Sequence, residues 1–138
     1  MRFYCPRCWQ DFEKDVPICP HCGLDIEEFW KSRDYVEKLI IALQHPEKET
    51  PIRAAWLLEQ LKESQAVQPL IDLAKTTDDV YIARAAVTAL GGIGTAEARL
   101  FQSTLAHHHA KMVRDEATRI LSGRNRACLS SEERKEQP

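Results

Sequence analysis

The sequence predicts a mainly α-helical protein, a stack of repeated helical hairpins behind a small cysteine-bearing unit. Three observations carry that reading. Residues 24–122 are rich in Ala, Leu, Glu, Lys and Arg, with apolar residues at helical spacing and no alternating strand pattern. The same stretch matches itself at offsets of 32 and 31 residues. Four cysteines fall within the first 22 residues, in two C-x-x-C pairs.

The cysteine pairs come first in the chain. Cys5-Pro6-Arg7-Cys8 is followed, after ten intervening residues, by Cys19-Pro20-His21-Cys22-Gly23. Two such pairs at hairpin distance place four thiolates around one metal ion, because each turn folds back so that both of its sulfurs point at a common centre. Pro6 and Pro20 pre-set the turns, and Gly23 allows the tight geometry after the last ligand. Phe3, Tyr4, Trp9, Phe12, Val16 and Ile18 read as short strands around them. So small a segment cannot bury enough surface to fold alone, so the metal must supply stability.

The competing chemistries fit less well. Two disulfides need an oxidising compartment, and Met1-Arg2-Phe3-Tyr4-Cys5 carries no apolar signal stretch. A redox C-x-x-C belongs at a helix start after a strand. Catalytic zinc needs an open ligand position, which four cysteines do not leave. Iron in a rubredoxin-like site shares the Cys-Pro-x-Cys-Gly turn and stays as the minor alternative. His21 lies inside the second turn, where it would compete with Cys22, and is expected at the surface. The segment over about residues 1–25 resembles the zinc-ribbon family, which implies one structural zinc ion held by Cys5, Cys8, Cys19 and Cys22.

Composition narrows the partners. The chain has 138 residues and a net charge of −2, from 19 basic and 21 acidic side chains, so no strong pull toward nucleic acid or an acidic membrane is expected. Within residues 1–24, Arg2, Arg7 and Lys14 are balanced by Asp11, Glu13 and Asp15. Apolar runs are too short to span a bilayer, and a cytoplasmic location is expected. The fifth cysteine, Cys128, has no fifth-ligand role and reads as a bystander thiol.

The repeat register follows from aligning the stretches that begin at Thr50, Ile82 and Val113. Ala54, Ala86 and Ala117 share one column, Leu57, Ala89 and Ile120 the next, then Leu58, Leu90 and Leu121. A second helix follows each of the first two, over Ala66 to Ala74 and Ala98 to Ala106, and Leu39 to Leu43 aligns with Leu70 to Ala74. The helix order is therefore B, A, B, A, B, A. His45-Pro46 stops the first B helix, and Thr50-Pro51 reads as an N-cap followed by proline at the first helical position. Asp78 and Asp79 put negative charge at the next start, Gly91, Gly92 and Gly94 are expected to end that helix, and Thr95 caps the following one. Ile26, Phe29 and Trp30 form a further stripe in phase with Val36, Leu39 and Leu43, so residues 26–44 are one helix or two broken near Ser32. Residues 123–138 are polar and predict a disordered tail after a helical body over 26–122.

The stretches Ala54-Ala55-Trp56-Leu57-Leu58, Gln65-Ala66-Val67-Gln68-Pro69-Leu70-Ile71 and Arg84 to Gly94 resemble the HEAT family, in the short form also found in phycobilin lyases. The resemblance covers about residues 34–122 and implies a right-handed α-solenoid with A helices on the convex side and B helices on the concave side. It also implies that the stack ends must be capped, and the ribbon sits where the N-terminal cap belongs. Arg53, Arg84 and Arg114 drift by one position per repeat, which predicts against a ladder of equivalent ion pairs.

An enzyme is not expected. Consecutive helical residues point about 100° apart, so His107, His108 and His109 cannot converge on one metal. No His precedes a Glu, so the iron-binding dipeptide of HEAT-like hydroxylases is missing, and no bilin site stands out to support a lyase subunit. The B helices offer Gln68, Asp72, Lys75, Arg99, Gln102 and Ser103, a mixed set unlike a basic nucleic-acid face. The expected function is a protein-interaction module with zinc holding its cap. A nucleic-acid-associated zinc ribbon is the alternative. Gln68, Asp72, Lys75 and Arg99 are candidate partner contacts, and one anomaly adds two more. If Ala54, Leu57, Leu58 and Leu61 form the inner face of the first A helix, Ile52 and Trp56 lie opposite, where the other repeats carry Arg84 with Thr88 and Asp115 with Arg119. Either the ribbon or the Phe29-Trp30 segment covers them, or they anchor a partner.

Overall fold

The computed structural model describes residues 2–122; the expected tail, with Cys128, lies outside the described residues. A two-residue antiparallel ladder opens the chain: β1 (Phe3–Tyr4) pairs with β2 (Asp11–Phe12), Phe3 opposite Phe12 and Tyr4 opposite Asp11. Val16 and Trp9 lie outside the strands, and Ile18 makes only an isolated bridge to Asp25. Each strand is too short to form a core, which leaves the turns to organise this segment.

Two helices occupy the 26–44 stretch. Helix α1 (Ile26–Lys31) is capped by Asp25, and α2 (Tyr35–Ala42) by Asp34, whose carboxylate accepts the Glu37 N–H at 2.8 Å. Two aspartates at consecutive helix starts explain the break. The chain continues through α3 (Glu49–Leu61), a 3-10 turn (Ser64–Ala66), α4 (Val67–Thr76), α5 (Val80–Ile93), α6 (Ala96–Thr104), a second 3-10 turn (Leu105–His107) and α7 over residues 111–122. Helices α2 to α7 follow the expected alternation of B and A.

Packing places the repeat columns in the core. Ala54, Ala86 and Ala117 are buried, as are Leu58 and Leu90, while Leu121 at the stack end is only half-buried. Small residues in one column let α3, α5 and α7 approach, and leucines in the next fill the space toward α4 and α6. Asp79 caps α5 through the Tyr81 and Ile82 N–H groups, and Thr95 caps α6 through Ala98.

Three expectations need correction. Helix α3 starts at Glu49, after Lys48 and without a side-chain cap, so Thr50 is no N-cap; Pro51 sits buried in the first turn, where its missing N–H has no helical partner to lose. Gly91 and Gly92 lie inside α5, which ends only at Gly94, left-handed at φ 73°. A Cβ on Gly91 would come within 2.7 Å of Ile120, and one on Gly92 would collide with Glu59, so these glycines serve helix approach. Finally, Leu61 is exposed and Leu57 half-buried; the buried face of α3 runs through Pro51, Ala54, Ala55 and Leu58. No helix among the described residues is long and apolar enough to cross a membrane.

Candidate metal centre

Cys5, Cys8, Cys19 and Cys22 converge, and all four sulfurs lie within 4.8 Å of one another. The Cys5 and Cys22 sulfurs are 3.5 Å apart and those of Cys8 and Cys19 are 3.7 Å apart. A tetrahedron of metal–sulfur bonds about 2.3 Å long has edges of about 3.8 Å, so the sulfur geometry fits a four-thiolate metal site. The histidine run supplies no second site: His108 and His109 stack on each other at 4.3 Å, and His108 Nδ1 accepts the Ala110 N–H. Among the described residues the cysteines form the one cluster able to hold a metal ion.

The two turns are near copies. Arg7 N–H points at Cys5 Sγ and His21 N–H at Cys19 Sγ, both at 3.4 Å. Trp9 N–H donates to Cys5 O at 2.9 Å, and Gly23 N–H to Cys19 O at 3.0 Å. Burial pushes the Cys5 thiol up to about 12. Burial acts the same way on Cys19, but the Cys22 and His21 N–H groups outweigh it and lower that thiol to about 6. Backbone N–H groups aimed at a sulfur favour its thiolate, the form that binds metal.

The copies differ at two positions, Arg7 against His21 and Trp9 against Gly23, and the second bears on backbone conformation. Gly23 follows the second pair at φ 76°, where glycine carries no penalty; Trp9 follows the first pair at φ 57°. A bulky residue held left-handed costs about 1–2 kcal/mol. The Trp9 indole packs edge-on against His45 with centroids 5.4 Å apart, and the Tyr4 ring meets the same imidazole at 4.6 Å. Tyr4 also donates its hydroxyl to Glu47 at 3.3 Å. The cysteine segment therefore rests on the loop between α2 and α3.

The candidate partner residues separate into two sets. Ile52 and Trp56 lie on α3, and Trp56 is 56% exposed. Nothing from the cysteine segment or from Phe29 and Trp30 covers it: those two rings pack on each other at 5.2 Å, and Arg33 lies over Phe29. The expected cap over Trp56 is thus absent among the described residues. Instead Ile52, Trp56, Glu59, Tyr81, Arg84, Ala85 and Thr88 line a groove of about 280 Å³ between α3 and α5. Tyr81, 63% exposed, was not among the candidates; its place at i−3 and i−4 from Arg84 and Ala85 on the solvent stripe was the available signal. Gln68, Asp72 and Lys75 are exposed on α4 and Arg99 on α6, and none of them joins this groove. Gln68 is engaged with Asp72 at 2.9 Å, and Lys75 lies 5.7 Å over the Phe101 ring.

Polar contacts replace the arginine ladder. Glu116, buried on α7, accepts from Thr88 at 2.8 Å and from Arg119, with Arg84 at 3.7 Å. Arg114 instead donates to the backbone carbonyls of His108 and His109. The chain matches the family of HEAT repeats over residues 36–122. It belongs to that family, whose helical repeats commonly serve as protein-interaction scaffolds. No curated protein matches the chain significantly.

Proposed function

We propose that this chain is a non-catalytic protein-interaction module, with a structural zinc ribbon over residues 1–25, the repeat body over 26–122 and a polar tail over 123–138. The observation that carries it is the α3–α5 groove, which leaves a tryptophan and a tyrosine side by side in water next to Ile52. Aromatic residues with arginine alongside are the typical anchors of protein interfaces, and Arg53 and Arg84 flank these. Four cysteine sulfurs at tetrahedral spacing with no open position support a structural zinc ion over a reactive one. Charge argues against a nucleic-acid role for the ribbon, since Arg2 is paired with Asp11 and Glu13.

The test is Trp56→Ala in the full chain. Its stability should stay within about 0.5 kcal/mol of the parent, as for an exposed side chain. A partner captured by the parent and identified by mass spectrometry should be lost with the variant while Gln68→Ala retains it. Equal capture by parent and Trp56→Ala would overturn the assignment of this groove. Elemental analysis of the reduced protein should give one zinc per chain, and iron in its place would overturn the metal assignment.

A further inference from the structure

We infer that Trp9, Tyr4 and His45 form a clasp through which metal occupancy holds the loop that starts the first A helix; this rests on the zinc reading above. The first observation is the mismatch between twin turns. Their hydrogen bonds coincide, yet where one carries Gly23 the other carries Trp9, left-handed at φ 57°. A side chain kept in a conformation that glycine adopts freely has to be held by its surroundings. Among the described residues the indole meets His45 and no other ring, and the strained backbone aims it there.

The second observation lies on the receiving side. His45 Nδ1 accepts the Glu47 N–H at 3.1 Å, and the Glu47 carboxylate accepts from Tyr4. Burial lowers the imidazole below its ordinary value, in keeping with a neutral ring whose Nδ1 is free to accept. Glu47 O in turn accepts the Thr50 N–H, in the first turn of α3. That turn has no side-chain cap of its own, unlike α1, α2, α5 and α6. The clasp supplies from outside what a capping residue would supply from within.

Metal enters through backbone geometry. Trp9 directly follows Cys8, and its N–H is tied to the Cys5 carbonyl. Four metal–thiolate bonds fix this turn; without them the left-handed Trp9 relaxes toward ordinary backbone and the indole leaves His45. The loop over 45–48 then loses its cover, and α3 loses the contact that orders its entry.

Amide hydrogen exchange on the full reduced chain tests this, with zinc bound and after chelation. Chelation is expected to speed exchange at Glu47 and Thr50 about tenfold, the loss of one aromatic contact and one hydrogen bond, while Leu90 in α5 is unchanged. His45→Ala with zinc still bound should reproduce the faster exchange at both amides. Trp9→Gly should do the same while binding zinc at least as tightly as the parent, because it removes strain from the turn. Zinc uptake with unchanged Glu47 and Thr50 exchange on chelation would overturn the coupling and leave the zinc reading intact. Failure to take up zinc would overturn both. Weaker zinc binding by Trp9→Gly, with exchange unchanged, would overturn the strain account.

Discussion

The cysteine segment and the helical stack reach order by opposite means. Among residues 2–25 only Cys5, Pro6 and Cys19 are buried, and the one ladder is two residues per strand. The stack, by contrast, buries one continuous apolar cluster from Leu39 to Ala117. Hydrophobic burial scales with apolar area, so it can sustain the second region and not the first. On the zinc reading proposed above, the segment draws its stability from bonds to the metal that its four cysteines could hold, whereas the stack draws its stability from apolar burial. Two regions of one chain thus respond to different perturbations, and each can be broken separately.

Metal removal should give the largest difference. Structural zinc sites of this size contribute folding free energy on the order of 10–16 kcal/mol. Chelation, or Cys19→Ser, should unfold the segment around β1 and β2 while the helical circular dichroism signal stays nearly constant. A collapse of the helical signal on chelation would show that the stack also depends on the metal.

The converse experiment breaks the stack. Leu90 is fully buried in α5, the helix that faces α3, α4 and α6. Leu90→Ala should cost about 2–5 kcal/mol in urea unfolding followed by circular dichroism, with zinc content unchanged. Because repeats couple to neighbours, the whole stack should weaken together. A midpoint shift no larger than that of Leu61→Ala, on an exposed leucine, would mean that the repeat register is wrong.

Much of this division was legible from residue spacing. The C-x-x-C pairs and the 32- and 31-residue offsets are local patterns, and they recovered the four sulfurs and the buried alanine column. What escaped depends on contacts distant in sequence. Gly91 and Gly92 look like a helix end, and only the approach of Ile120 and Glu59 shows why they continue α5. Thr50-Pro51 looks like a cap, yet the loop clasped by Tyr4 and Trp9 lets the helix start at Glu49. Glu116 carries no signal in the local pattern, because Thr88 and Arg84, which it meets, lie on another helix. Trp56 stood out from its column, but Tyr81, its neighbour across the groove, needed the packing of α3 on α5.

Polar bridges between repeats should come next in size. The hydrogen bond from Arg119, aided by Thr88 and the charge of Arg84, holds the Glu116 carboxyl below its ordinary range. A carboxyl lowered on folding contributes stability above its unfolded value, and that contribution is lost as pH falls through the folded value. Glu116→Gln should cost about 1–2 kcal/mol at pH 7, and the gap to the parent should close only under acidic conditions. Glu59 faces the same cluster with the opposite sign, since burial holds its carboxyl above the ordinary range despite Arg119. Both proteins should therefore be compared in a Glu59→Gln background. Urea titrations across pH would refute the charge account if the gap were constant from neutral to acid.

The smallest expected effect concerns how a repeat begins. Asp79 accepts the Tyr81 and Ile82 N–H groups at 2.9 and 3.2 Å and faces Lys48 at 3.1 Å. Lys48 and both N–H groups lower its carboxyl. Removing an N-cap carboxylate costs about 1 kcal/mol, so Asp79→Ala should lose about that much. The Lys48 side chain is 76% exposed, where ion pairs are worth little, so Lys48→Ala should lose only a few tenths, about 0.3 kcal/mol. Asp79→Asn separates the two contributions, because the amide oxygen still caps the helix without attracting the lysine. It should lie close to Lys48→Ala in unfolding midpoint. If Asp79→Ala and Lys48→Ala lose the same amount, the backbone cap contributes nothing measurable and α5 starts where packing of Ile82 and Ala83 places it.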